Sequence, residues 1–226
     1  MSGTKQKVVL ISASPKVDQN WAVSAFLARR GEEYLKSADV SSEVIQVRST
    51  LLHHKTEQAF EIVQAADAIV LVFPLYFFCM PAMLTRFLQD FAGAYPSADK
   101  ESRVYAIINC GFPESGINME AMRVVECFAQ QTGRLFLGGV MIGGGGMILG
   151  AKDAPFMRPT FELIDALFER VARDTLSETP EHGQITESSP KFPRWLYILG
   201  GHAGWHSMAR KNHIKPKDIR RKPYLR

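Results

Sequence analysis

Apolar runs and amphipathic stretches alternate along the chain from Val8 to Leu176. Val8-Val9-Leu10-Ile11 is continuously apolar and partly β-branched, the pattern of a central strand buried on both faces. A helix is expected to begin near Asn20, because Ala22 to Leu35 places Val23, Phe26, Leu27 and Tyr34 at helical spacing. A short strand over Glu43 to Val47 and a helix over Glu57 to Ala66 follow. Ala68-Ile69-Val70-Leu71-Val72-Phe73 is the strongest strand signal and stops at Pro74. Next come a helix from about Pro81 to Gly93, a strand over Val104 to Asn109, a helix over Met119 to Gln131 and a strand over Leu135 to Ile142. A helix over Pro155 to Leu176 ends the series. Five strands alternating with five helices, joined by connections long enough for right-handed crossovers, describe an open doubly wound α/β domain with a parallel sheet and helices on both faces.

In such sheets ligands sit at the carboxyl ends of the strands, where the strand order switches direction. Three loops meet that condition, and their chemistry differs. The first, Ser12-Ala13-Ser14-Pro15-Lys16 through Asn20-Trp21-Ala22, is rich in small, hydroxyl and amide residues and leads into a helix N-terminus, which suits an anion. An ordinary capped turn has the same composition. The second, Pro74-Leu75-Tyr76-Phe77-Phe78-Cys79-Met80, is apolar and aromatic, and the third runs Asn109-Cys110-Gly111-Phe112-Pro113-Glu114-Ser115-Gly116. An anion site at one end and a flat apolar surface at the other fit a mononucleotide with an aromatic head group.

The ordered set Ala13-Ser14-Pro15-Lys16, Asn20, Pro74-Leu75-Tyr76, Pro81 and Phe87-Leu88-Gln89-Asp90 resembles the NADPH-dependent FMN reductase and NAD(P)H:quinone oxidoreductase family of flavodoxin-like proteins, over about residues 7 to 175. The resemblance implies a flavodoxin-like five-stranded parallel sheet, non-covalent FMN, NADH or NADPH as co-substrate, and a homodimer or higher homo-oligomer. It also implies two-electron transfer to a quinone, flavin or similar small acceptor. By matching positions, Ser12, Ser14, Lys16, Asn20, Trp21 and Ala22 would surround the FMN phosphate. Pro74, Leu75, Tyr76 and Phe77 would flank the isoalloxazine, with Asn109, Cys110, Gly111 and Phe112 along its other edge. The chain departs from the family pattern at Ala13 for glycine, Lys16 for arginine, Trp21 for a small hydroxyl residue, and Thr85-Arg86 for Leu-Lys. Lysine keeps the charge of arginine without its bidentate fork.

Flavin chemistry needs no catalytic acid or base from the protein, and none is assigned. His53-His54 reads as a surface pair, so no metal site is assigned. Gly143 to Gly146 follows the fifth strand without the spacing of a dinucleotide fingerprint and suits a close backbone approach near the site or at a subunit contact. Two other functional classes share this fold: an electron-carrier flavodoxin, and a flavin-free α/β interaction module.

Composition changes this picture in two places. At 226 residues and 46% hydrophobic, the chain can bury one substantial core, expected over residues 1–180. Residues 1–7 carry no signal-peptide apolar block, and the longest apolar stretch, Ala65 to Leu84, is broken by Asp67, Pro74 and Pro81, so no membrane span is expected. Three widely spaced cysteines, Cys79, Cys110 and Cys127, fit a reducing cytoplasm. The second change concerns residues 181–226, a basic C-terminal extension. From Ser207 to Arg226 eight Lys and Arg stand against Asp218 alone, a net of +7 in a chain whose total is +4, so the rest carries −3. Such a tail suits a partner subunit ahead of nucleic acid or an anionic membrane surface. The aromatic residues Trp195, Tyr197 and Trp205 before it suggest docking.

Overall fold

The computed structural model describes residues 6–177, 179–180, 183–191, 193–222 and 224. The first five residues and Arg226, on which part of the terminal-composition argument rests, lie outside the described residues. Two compact units are present, Met1–Pro190 and Lys191–Arg226.

The first unit is a parallel sheet of the order β2-β1-β3-β4-β5-β6. Its strands are β1 (Lys7–Ser12), β2 (Ser41–Gln46), β3 (Ala68–Pro74), β4 (Arg103–Asn109), β5 (Leu135–Ile142) and β6 (Gln184–Ser188). The helices are α1 (Val23–Ser37), α2 (Val47–Leu52), α3 (Thr56–Gln64), α4 (Ala82–Ala94), α5 (Met119–Gln131) and α6 (Arg158–Leu176). Alternation along the central strands divides the core in two. Val9, Ile11, Ile69, Leu71 and Phe73 pack with α3, α4 and α5, through Phe60, Phe87, Phe91 and Val125. Val8, Leu10, Val70 and Val72 point the other way, onto Leu27 and Leu35 of α1 and Ile164 and Phe168 of α6. Burial on both faces is why these strands read as unbroken apolar runs instead of alternating ones.

The sheet has six strands, not the expected five. β6, with the sequence Gln-Ile-Thr-Glu-Ser, pairs in parallel with Gly138 to Ile142 of β5. It is a short, mostly exposed edge strand with neither a hydrophobic run nor clean alternation, so nothing in its local pattern announces it. The readable signal lies in its neighbour, since a Cβ at Gly138 would collide with the Gln184 backbone. The expected helix start near Asn20 is also displaced. Gln19–Trp21 forms a single 3-10 turn capped by Asp18, whose Oδ1 accepts from the Asn20 N–H at 2.9 Å, and α1 begins at Val23.

Two polar contacts fasten α6, one to α1 and one to the sheet. Arg30 of α1 donates from Nε and Nη2 to both carboxylate oxygens of Asp165, at 2.7 and 2.6 Å. The Tyr105 hydroxyl of β4 donates to Asp174 at 2.8 Å inside the core. Burial, then the Asp174 carboxylate, push the Tyr105 phenol far above its ordinary range, so it stays a neutral donor.

A chain ending at Pro180 lacks β6 and leaves the Gly138 to Ile142 edge of β5 open, whereas one ending at Pro190 keeps the six-stranded ladder. At about 0.5–1.5 kcal/mol per backbone hydrogen bond, we expect the shorter chain to unfold at a clearly lower urea midpoint than the longer one. Equal midpoints would show that β6 adds nothing to the sheet.

Candidate functional site

The strand order reverses between β1 and β3, and the carboxyl ends of β1, β3, β4 and β5 surround a cavity of about 230 Å³ there. Its lining includes Ser14 and Lys16 after β1, Pro74, Leu75 and Tyr76 from β3 and its loop, and Asn109 and Gly111 at the end of β4. Thus seven of the residues singled out from sequence, drawn from three separate loops, meet in one cavity. Larger open depressions exist, such as one of about 550 Å³ along β2 and α3. None of that depression's lining residues has a buried polar atom without a partner, which separates it from the smaller cavity.

The remaining candidates sit around this cavity without lining it. Ser12 and Ala22 are buried beneath the first loop, and Cys110 is buried beside Asn109. Its thiol donates weakly to the backbone carbonyls of Phe112 and Glu114, at 3.4 and 3.5 Å. Asn20 is exposed on the 3-10 turn. Trp21, Phe77 and Phe112 stand largely in solvent, Phe77 completely so. Lys16 does not reach freely outward, because its Nζ donates to the Trp21 carbonyl at 2.6 Å and closes the loop.

Four lining residues were not in the sequence-based set: Val23, Ser24, Gly145 and Gly146. Gly145 and Gly146 belong to the glycine run whose close-approach reading pointed to them. A Cβ at Gly145 would fall 2.6 Å from Asn109 Nδ2 and 2.9 Å from the Cys110 carbonyl, so only glycine lets this turn press against the end of β4. Ser24 carried no local signal, since one serine inside an amphipathic helix is unremarkable.

The polar chemistry of the cavity is incomplete in a specific way. Ser24 Oγ and Asn109 Oδ1 are buried and have no hydrogen-bond partner. The N-cap of α1 is Ala22, which offers no side-chain acceptor, so the amides of the first turn are not satisfied by a cap. A buried donor hydroxyl, uncapped helix amides and the positive helix end favour an anion such as a phosphate. The same cavity is lined by the buried Asn109 amide, which can hydrogen-bond a polar ring edge, and by Leu75, Tyr76, Gly145 and Gly146.

The loop after β3 ends in a tight hairpin. Tyr76 and Cys79 exchange both backbone hydrogen bonds, at 2.8 and 3.0 Å, and the two residues between them, Phe77 and Phe78, have φ of 48° and 63°. Bulky side chains rarely adopt this conformation, which costs about 1–2 kcal/mol per residue. The turn holds both phenyl groups outward next to Tyr76.

A family model described as flavodoxin-like fold matches residues 6–123. No curated protein matches the chain in sequence. Among solved structures, the NAD(P)H:quinone oxidoreductase from Methanothermobacter marburgensis is 17% identical with a TM-score of 0.51, covering 79% of this chain and 100% of that one. An NADH:FMN oxidoreductase in its apo form is 18% identical with a TM-score of 0.60, covering 80% and 95%. An FMN-dependent NADH-azoreductase from Bacillus anthracis str. Ames Ancestor, in complex with FMN, is 14% identical with a TM-score of 0.51, covering 74% and 99%. At these identities the likeness is one of fold.

Burial pushes the Cys110 thiol above its ordinary pKa, which lowers its thiolate fraction at neutral pH, while Cys127 is exposed. Labelling with a thiol-reactive disulfide at neutral pH should therefore modify Cys127 rapidly and Cys110 only as the protein unfolds. Fast labelling of Cys110 in the native protein, read by peptide mass, would contradict this assignment.

Proposed function

Because the chain belongs to the family of flavodoxin-like fold, we propose that it is an FMN-dependent NAD(P)H oxidoreductase that passes electrons from NADH or NADPH to a quinone, flavin or similar small acceptor. The observation that carries this reading is the pair of unpartnered buried groups, Ser24 Oγ and Asn109 Oδ1, lining one cavity at the strand-order switch beside an uncapped helix. Solved relatives by fold are described as NAD(P)H:quinone, NADH:FMN and FMN-dependent azo reductases, which supports the same choice.

Bound FMN supplies reversible two-electron chemistry at its ring. Ser14, Ser24 and the first amides of α1 hold the phosphate, with Lys16 adding positive charge from the loop. Pro74, Leu75 and Tyr76 provide an apolar wall for the ring, and Asn109 and Gly111 meet its polar edge. A cavity of about 230 Å³ is below the usual lower bound of about 300 Å³ for a whole ligand site, so part of the ligand lies over the open rim. Tyr76, Phe77, Phe78 and Phe112 are exposed there, and a second subunit packing on them would exclude water from the reacting groups. The protein is accordingly expected as a homodimer. Three cysteines without disulfides accord with the cytoplasm. Purified protein should be yellow or become so with FMN, and NADH or NADPH should bleach it under anaerobic conditions. A protein that binds no FMN overturns the reading, and one that binds it but is never bleached is an electron carrier instead.

Two substitutions separate binding from folding. Ser14→Asp sets a carboxylate against the phosphate, and like charges about 4 Å apart at an effective dielectric of about 20 repel by roughly 4 kcal/mol, approaching a thousandfold loss of FMN affinity before screening. Ser24→Ala removes a hydroxyl that has no partner within the protein, so the urea midpoint should not fall, yet FMN should bind about fivefold more weakly, as for one lost hydrogen bond of about 1 kcal/mol. Fluorescence recovery on FMN release reads both. Unchanged FMN affinity in natively folded Ser14→Asp would remove the phosphate assignment.

One cleft serving the nicotinamide and the acceptor in turn should give ping-pong kinetics. Initial-rate plots at several acceptor concentrations should be parallel, and intersecting lines would require both substrates bound together.

A further inference from the structure

The second unit, Lys191–Arg226, contains a helix, α7 (Arg194–Lys211), that behaves unlike the helices of the sheet unit. From Trp195 to Ala209 fifteen consecutive residues include no Asp, Glu, Lys or Arg. Trp195, Ile198, Leu199, Trp205 and Met208 are nevertheless exposed, the two tryptophans by about two-thirds. The apolar groups do not form one stripe. At about 100° per residue, Leu199 and Met208 fall on opposite sides of the helix. A helix docking on another protein surface turns one apolar face inward, whereas one apolar around much of its circumference belongs in apolar surroundings.

Immediately after this stretch, Arg210, Lys211, Lys215, Lys217, Arg220, Arg221 and Lys222 face Asp218 alone, a net of +6, and all seven cations are exposed. Polarity is therefore separated along the chain: apolar and aromatic first, cationic next. Nucleic-acid binding segments interleave aromatic and basic side chains so that stacking and phosphate contacts act on the same strand, and this segment does not. Fifteen residues span about 22 Å as a helix, short of the roughly 30 Å hydrocarbon core of a bilayer. No helix among the described residues is long and apolar enough to cross a membrane. Two tryptophans and a tyrosine in a stretch free of Asp, Glu, Lys and Arg, followed by a polybasic segment, match the interface of a bilayer, where indole rings settle among headgroups and cations meet anionic lipid.

We propose that residues 194–222 bind the surface of an anionic lipid bilayer, with the apolar part of α7 lodged in the headgroup region and the cations of 210–222 against the negative lipids. This needs no bound flavin and does not depend on the oxidoreductase reading.

The test uses the full chain and sedimentation with vesicles, either phosphatidylcholine alone or phosphatidylcholine mixed with phosphatidylglycerol. Binding should be confined to the anionic vesicles at low salt, should be reversed by high salt, and should shift tryptophan emission to shorter wavelength. R220Q/R221Q/K222Q should weaken binding on the order of a hundredfold, from about 1 kcal/mol per charge. W195S/W205S should weaken it and abolish the emission shift, with circular dichroism confirming that both variants remain folded. Equal binding to neutral vesicles, or an unchanged affinity in R220Q/R221Q/K222Q, would overturn the proposal. It would also fail if single-stranded RNA displaced the vesicles and bound more tightly, or if W195S/W205S dissociated a dimer of the wild-type chain that itself ignores lipid.

Discussion

Four backbone hydrogen bonds run across the carboxyl edge of the sheet, each carrying the ladder one step past the end of a strand: Ala13 N–H to Val72, Leu75 N–H to Asn109, Cys110 N–H to Ile142, and Gly143 N–H to Ser188. They root the loops after β1, β3, β4 and β5 in register with one another, so the cavity inherits the spacing of the strands. The strands in turn hold register because all of β4, and all but one end residue each of β1 and β3, are buried, where a slip would leave backbone groups unpaired away from water. Residues far apart in the chain, from Ser14 to Gly146, thereby become neighbours without any direct side-chain bond between their loops being required.

That edge is crowded where backbone passes backbone and open where a ligand would enter. Gly143, Gly144 and Gly145 thread against Pro113, Pro190 and Asn109, and Gly144 has φ of 64°. Gly111 and Gly146, by contrast, have nothing within 4 Å of where a Cβ would stand. Glycine thus does two jobs within a few residues: it permits close approach at 143–145 and leaves space at 111 and 146. The hairpin at Phe77 and Phe78 adds a third feature, a disfavoured backbone fixed by the paired hydrogen bonds of Tyr76 and Cys79. Such conformations persist where the surroundings over-determine them, and this one presents aromatic surface beside the cavity.

The two units divide the physical work differently. In the sheet unit, charges are paired across elements, as in Arg30 with Asp165 and Lys100 with Asp67, and the large apolar side chains are mostly inside. Among the described residues of 191–226 most large apolar and aromatic side chains, such as Trp195, Leu199 and Trp205, are exposed, and in sequence the cations greatly outnumber the acids.

Periodicity alone determined the central strands, the helices α3 to α6 and the alternating α/β class, because those elements carry long, strong patterns: the bounds of α5 and β5 agree with the structure to the residue. Loop chemistry at the strand ends determined the region of the cavity, and the family resemblance picked out seven of its lining residues. Tertiary structure decided the rest. β6 exists because β5 offers it a glycine-lined edge, a property of pairing and not of its own five residues. Ser24 and Gly145 joined the cavity lining only in the folded chain, where α1 begins beside the carboxyl end of β1 and the glycine turn comes against Asn109. Local sequence carries information about what a segment prefers, whereas an unpartnered hydroxyl or an open edge is defined by what the rest of the chain brings, or fails to bring, within hydrogen-bond reach.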